Sequence, residues 1–160
     1  MTDVELRPAT ATDADAITDI WHHGWRDGHA GHVPEALAAL RTPESFAVRA
    51  AARVGDTTVA VVGGNVAGFI MVRGDEVEQV YVAAAHRGAG VAAVLLSEAE
   101  RQVAAAGFAG AWLAVVPGNA RARRFYERQG WHDAGGFDYE AATATGTVAV
   151  PCRRYAKSRL

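Results

Sequence analysis

The chain has a single cysteine, Cys152, in 160 residues. That excludes an internal disulfide, and with it a small disulfide-stapled secreted fold. Its setting, V-A-V-P-C, is strand-like and suits a buried structural thiol better than a nucleophile. Long apolar runs are missing too: none approaches the roughly 18 residues of a transmembrane helix. The start, M-T-D-V-E-L-R, lacks the basic-then-apolar pattern of a secretory leader. A cytoplasmic chain is the expectation. Nor is there an excess of one charge: the net charge is −2, with acids and bases interspersed. Neither nucleic acid nor a membrane surface is expected as a partner, because each needs a basic face. Repeats, linkers and low-complexity tails are absent, so residues 1–160 read as one domain, and a composition that is 50% hydrophobic can fill its core.

Local patterns divide the chain into short strands and amphipathic helices. Residues 4–7 alternate as a strand, and Pro8 ends it. Thr10 and Thr12 offer caps to a helix with Ile17, Ile20, Trp21 and Trp25 on one face. Residues 21–34, rich in histidine, tryptophan and glycine, read as a loop. A short helix is expected over 34–40. Thr42 then caps a second helix start, with Pro43 at its first position, running to about Arg53. Residues 57–62, 66–72 and 76–82 form a meander of three strands joined by glycine turns. A helix over about 92–106, a strand over 111–116 and a helix over 119–130 follow. The last pair of strands covers 131–139 and about 145–155, with the small polar residues 140–146 as a loop between them.

The most informative stretch is V-Y-V-A-A-A-H-R-G-A-G-V-A, residues 80–92. It is a strand, a glycine-rich turn and a helix start. Free amides and the positive dipole end of a helix make such a place suited to a phosphate or pyrophosphate. It is not a P-loop, because no Gly-Lys-Ser/Thr follows. It is not a dinucleotide fingerprint, because the third glycine is missing. A plain tight turn is the alternative.

Arg87-x-x-Gly90-x-Ala92, preceded by Val80-Tyr81-Val82, resembles the acetyl-CoA signature of the GNAT family of N-acetyltransferases, Gln/Arg-x-x-Gly-x-Gly/Ala. A second segment, N-A-R-A-R-R-F-Y-E-R-Q-G-W over 119–131, is similar to that family's Asn…Phe-Tyr…Gly-Phe, with Trp131 at the usual Phe. The resemblance covers residues 4–155. It implies an α+β fold in which helices flank a mixed, mostly antiparallel central sheet, in the order βααβββαβαββ. The sheet is expected to splay after the strand ending at Val82. Acetyl-CoA is the implied co-substrate, held by the backbone of Val80, Tyr81 and Val82, by Arg87, Gly88, Ala89, Gly90, Val91 and Ala92, and by Asn119.

The implied reaction moves an acetyl group to a primary amine of a small molecule or an exposed amino group, in a direct ternary complex. A non-catalytic module that binds or senses acyl-CoA is the alternative. An alkylammonium has a pKa near ~10.4, so a base must neutralise it. Glu78 is the first candidate. Glu76 faces the same side if the strand is not bulged, and His29 or His32 could also serve. Resemblance puts Tyr126 beside the sulfur as the acid for the departing thiolate. Trp21, Trp25, His29 and His32 are read as walls of the acceptor site; alternatively, the tryptophans are core and the histidines solvated. His29-x-x-His32 lacks a settled third ligand, so no metal is expected. Arg121, Arg123 and Arg124 either reach the 3′-phosphate of CoA or form a solvated helix face. A homodimer through the last strands is an expectation of the resemblance alone.

Overall fold

The computed structural model describes residues 3–29 and 31–160. Met1 and Thr2, part of the start read for a leader, and Ala30, part of the Trp/His-rich stretch, lie outside the described residues. The elements are β1 (Glu5–Pro8), α1 (Ala14–His29), α2 (Glu35–Leu40), α3 (Pro43–Ala52), β2 (Thr57–Val62), β3 (Asn65–Arg73), β4 (Glu76–Val82), α4 (Val91–Ala105), β5 (Ala111–Val115), α5 (Ala120–Arg128), β6 (His132–Thr143) and β7 (Gly146–Lys157). The order is the expected one with the short α2 counted separately. One sheet runs β1-β2-β3-β4-β5-β7-β6. Every neighbouring pair is antiparallel except β4 and β5.

Alternation along the strands gives the sheet two apolar faces. Ile70 and Leu113 meet α4, whose Leu95, Leu96, Ala99 and Val103 repeat at helical spacing. Phe69 and Met71 point the other way, into α1 and α3. There Trp21, 1% exposed, stands edge-on to Phe46 at 5.7 Å and to Phe69 at 5.8 Å. Each such aromatic pair adds about 0.5–1.5 kcal/mol beyond burial.

Two expectations are corrected. Residues 140–143 are strand, not loop: β6 and β7 make a long hairpin closed at Thr143↔Gly146. Their small polar residues sit on a largely exposed ribbon whose pairing overrides weak β-propensity. The helix expected to carry Trp21 and Trp25 does so and runs on to His29, so the stretch from residue 21 read as a loop is helix as far as residue 29. Gly24 and Gly28 each cost a helix about 1 kcal/mol relative to alanine. What offsets them is a close approach. A Cβ at Gly24 would run into the Tyr81 ring, with Cε1 at 2.9 Å, and one at Gly28 would sit 2.8 Å from Asn119 Nδ2.

The first helix is anchored at its start by charge. Thr10 donates its amide to Asp13 Oδ2 at 2.7 Å, and Arg7 grips both Asp13 oxygens at 2.8 and 3.0 Å. The Arg7 guanidinium holds the Asp13 carboxyl down at about 2. A depressed folded pKa stabilises above the unfolded value of about 3.9, and the gain disappears as pH falls through the folded one. Asp13→Asn is therefore expected to lower stability by about 1–2 kcal/mol at pH 7, with the difference from the parent vanishing near pH 2. Urea denaturation across that pH range measures it.

Candidate active site

The strand β4 leaves the sheet's pairing almost at once on one side. It is in register with β5 only at Glu76↔Trp112. Beyond that pair the two strands part, and a cavity of about 930 Å³ opens between Val80, Tyr81 and Val82 on one side and Ala114, Val115 and Val116 on the other. On its other edge β4 stays paired with β3, but the register slips: Val72 opposes Val77 while Met71 opposes Gln79. Glu78 is thus the extra residue of a β-bulge. A bulge bends the strand and raises its twist. It also inverts the alternation, so that Val77 joins the same apolar cluster as Val80 and Val82. The unbulged strand assumed for the two glutamates does not exist here. The bulge nevertheless leaves both Glu76 and Glu78 lining the cavity.

At the far end of β4 a 3₁₀ turn, Ala84–His86, leads into the glycine loop. Gly88 and Gly90 have φ of +80° and +81°, a region that favours glycine. Gly90 is the N-cap of α4 and supplies no side-chain cap. The first bond of the helix is Val94 N–H to Gly90 O, leaving the amides of Val91, Ala92 and Ala93 without a backbone acceptor among the described residues. Gly88, Gly90, Val91 and Ala92 line the cavity. Ala89 is exposed on the same turn and does not. Arg87 lines it as well and is tied to α1 by Asp27 at 2.9 Å.

The third wall is α5. Asn119 caps it through Ala122 N–H at 3.2 Å and also abuts α1 at Gly28. Tyr126 lies among Phe125, Trp131 and Tyr155 and reaches the cavity. Its hydroxyl has no hydrogen bond among the described residues, and burial pushes its pKa up to about 12, so it keeps its proton. Arg123 turns inward to Tyr155, Pro117 O and Asp133, whereas Arg121 lines the cavity and Arg124 is exposed.

On the α1 side the predicted residues separate. Trp21 and Trp25 are core residues with an edge in the cavity. His29 stacks on Trp25 at 5.6 Å, and burial lowers its pKa to about 4, so it is neutral. Its Nδ1 is buried without a partner. His32 is not brought to the cavity: it packs over Gly118, where a Cβ would come within 2.6 Å of its Cε1. Cys152 is buried, with its pKa raised by burial to about 11, so it is not a thiolate.

Sequence reasoning missed several cavity residues. Tyr139 donates to Glu76 Oε2 at 2.5 Å. Burial raises the Glu76 pKa, a direction opposed by that hydrogen bond and reinforced by Glu78. Arg53 Nη2 contacts Glu78 Oε2 at 2.6 Å. That nitrogen has no aligned hydrogen bond, so the contact acts through charge. Arg41 and Arg49 also line the cavity. No local pattern signals Tyr139, which comes from a strand 63 positions away from Glu76 in sequence. The arginines had a weak signal: Arg49 and Arg53 are four apart on one helical segment.

A sequence profile of the acetyltransferase (GNAT) family matches residues 14–131. The chain belongs to that family of acetyl-CoA-dependent acetyltransferases, and acetyl-CoA is its co-substrate. No curated protein sequence matches it. Solved structures share the fold. A GCN5-related N-acetyltransferase from Rhodopseudomonas palustris has a TM-score of 0.75 at 21% identity, covering 99% of this chain and 97% of that one. The PaiA N-acetyltransferase of Thermoplasma acidophilum, in complex with coenzyme A, has 0.72 at 16%, covering 98% and 99%. YncA of Salmonella typhimurium, with acetyl-CoA, has 0.66 at 20%, covering 98% and 94%. Among the described residues, no helix is long and apolar enough to cross a membrane.

The close approach of α1 to β4 makes a direct prediction. Gly24→Ala forces the Tyr81 ring to move and is expected to cost about 1–3 kcal/mol. Thermal unfolding reads that loss, and Gly55→Ala, with open space at its Cβ, is the control.

Proposed function

We propose that this chain transfers the acetyl group of acetyl-CoA to the nitrogen of a primary amine, on a small molecule or an exposed amino group, by direct attack in a ternary complex. The observation that carries the reading is the gap between β4 and β5, with uncapped helix amides at one end and a carboxylate pair at the other. Pantetheine lies along Val80, Tyr81 and Val82 like an added strand. The pyrophosphate rests on the amides at Gly88, Gly90, Val91 and Ala92, with Arg87 and Asn119 beside it. The amine enters from the α1 side, between Trp25, His29 and the start of β4.

Glu76 and Glu78 are the candidates to take the ammonium proton, directly or through a water. Burial of Glu76 marks it as the acceptor of the two; Glu78 is held by Arg53. The neutral nitrogen then attacks the thioester carbon. A C–N bond forms, the C–S bond breaks, and the proton still in excess on the nitrogen passes through water to the departing sulfur, which leaves as the thiol. A backbone N–H on the open edge of β4 meets the oxyanion, a contribution of about 2.7–4 kcal/mol for one such donor. Tyr126 donates its O–H to the departing sulfur; with a pKa of about 12 it stabilises the thiolate by a hydrogen bond as the proton is restored. One buried thiol and no disulfide fit work in a reducing cytoplasm. The outer edge of β6 offers a seam for a homodimer.

Isothermal titration with acetyl-CoA should show binding that Gly90→Arg abolishes. In a thiol-release assay over an amine panel, Glu76→Gln is expected to lower kcat by about 10²–10⁴-fold, more than Glu78→Gln. The parent kcat falls as acid protonates Glu76 below its raised pKa, and Glu76→Gln flattens that limb. Tyr126→Phe should cost about tenfold or more, the value of one charge-assisted hydrogen bond. Binding of acetyl-CoA with no thiol released by any amine would sink the transfer reading and leave an acyl-CoA-binding module.

A further inference from the structure

The side of the cavity built by α1, the α2–α3 link, α3 and the turn from β3 into β4 carries four guanidiniums and two carboxylates: Arg41, Arg49, Arg53, Arg73, Glu76 and Glu78. Their pairing is uneven. Arg53 reaches Asp56 at 3.0 Å and Glu78 at 2.6 Å, and Arg73 reaches Asp56 at 3.5 Å. Glu76 is occupied by the Tyr139 hydroxyl. Arg41 and Arg49 are left over. Neither has a carboxylate within 4.0 Å among the described residues.

Arg41 is buried and Arg49 is partly buried. Arg41 is 8% exposed, and Arg41 Nε and Arg49 Nη1 are buried without a hydrogen-bond partner. Arg49 lies 4.2 Å over the face of Trp21. That stacking offsets part of its desolvation and fixes its direction, but supplies no counter-charge. Of the other groups facing them, Tyr81 and His29 are neutral, while Glu78 and Arg53 act on Arg49 from beyond ion-pair distance with opposite signs. Burial pushes the Tyr81 phenol up, and burial keeps His29 unprotonated near neutral pH. Burial and the neighbouring Arg41 lower Arg49 only to about 10, so it stays charged at neutral pH; burial lowers Arg41 as well, but an arginine keeps its proton in a protein. A buried and a partly buried cation on one cavity wall, neither in an ion pair, are costly unless an anion joins them, and a planar guanidinium fits a carboxylate, phosphinate or phosphonate with two parallel bonds.

We infer that the acceptor amine carries an anionic group of this kind, bound by Arg41 and Arg49 while its nitrogen faces Glu76. The acceptor is then an amino acid or an amino phosphonic acid, and not a polyamine or another polycation. The inference rests on the transfer reading above.

The experiment measures thiol release from acetyl-CoA with the twenty amino acids and 2-amino-4-phosphonobutyrate. Each amino acid is set against its decarboxylated amine, such as L-methionine against 3-(methylthio)propylamine, and spermidine is included. At least one acid should exceed its decarboxylated partner by about 100-fold in kcat/KM, since each charged hydrogen bond is worth tenfold or more. Arg41→Gln and Arg49→Gln should each raise KM for that acid about tenfold and shrink the preference, with the acetyl-CoA dissociation constant unchanged. Arg41 stands on the link between α2 and α3, so Arg41→Gln carries the test if loss of the Arg49–Trp21 contact unfolds the other variant; Arg49→Lys should retain part of the preference. Faster transfer to decarboxylated amines or spermidine overturns the inference and leaves the transfer reading standing. Weaker acetyl-CoA binding in the arginine variants also overturns it, because the arginines then serve the cofactor. Bound acetyl-CoA with no thiol released by any compound overturns the transfer reading and this inference together.

Discussion

The structure depends on the parting of β4 and β5. Parallel neighbours inside an otherwise antiparallel sheet share one register pair and then diverge. Two strands that part inside a protein leave backbone amides and carbonyls facing each other across a gap, and such groups demand partners. A slender chain with its own amide groups meets that demand as an added strand does. The two apolar faces make the divergence stable. Val80 and Val82 are held from below by the α4 cluster, and Tyr81 is held from above by Phe69 and α1. The bulge at Glu78 gives β4 the bend that carries it away from β5 while preserving its ladder with β3.

The same strand sets the chemistry at its two ends. At its C-terminal end the chain turns through two left-handed glycines into α4 with no side chain over the helix amides. At its N-terminal end both acids stay on the cavity although the bulge breaks the side-chain alternation between them. The environments of those acids differ. Glu76 is buried against a phenol, and Glu78 against a guanidinium. Burial favours the protonated form of Glu76.

The helix α1 joins the two ends. It touches β4 at Gly24 and Tyr81, the cap of α5 at Gly28 and Asn119, and the glycine loop through Asp27 and Arg87. Small residues on one helix face thus do what a loop was expected to do, because absent side chains let three elements converge on one cavity. Arg49, stacked on Trp21 of the same helix, extends that wall toward α3.

The sequence by itself determined the strand and helix order, the glycine turn at residues 87–90 and the family. Those signals are local: β-branched runs, helical spacing, and a pattern of arginine and glycines that only a turn into a helix requires. It also supplied Glu78, Tyr126 and Asn119, which the fold does bring to the cavity. Tertiary structure alone decided the rest. Helical Trp21 to His29 defied the glycine content because the cost of Gly24 and Gly28 is local while their benefit lies on β4 and at Asn119. His32 went to Gly118 instead of the cavity, and Tyr139 and Arg41 came to it from distant segments. Pairing energies of that kind depend on which strand or helix arrives opposite, and residue spacing along one chain carries no information about that meeting.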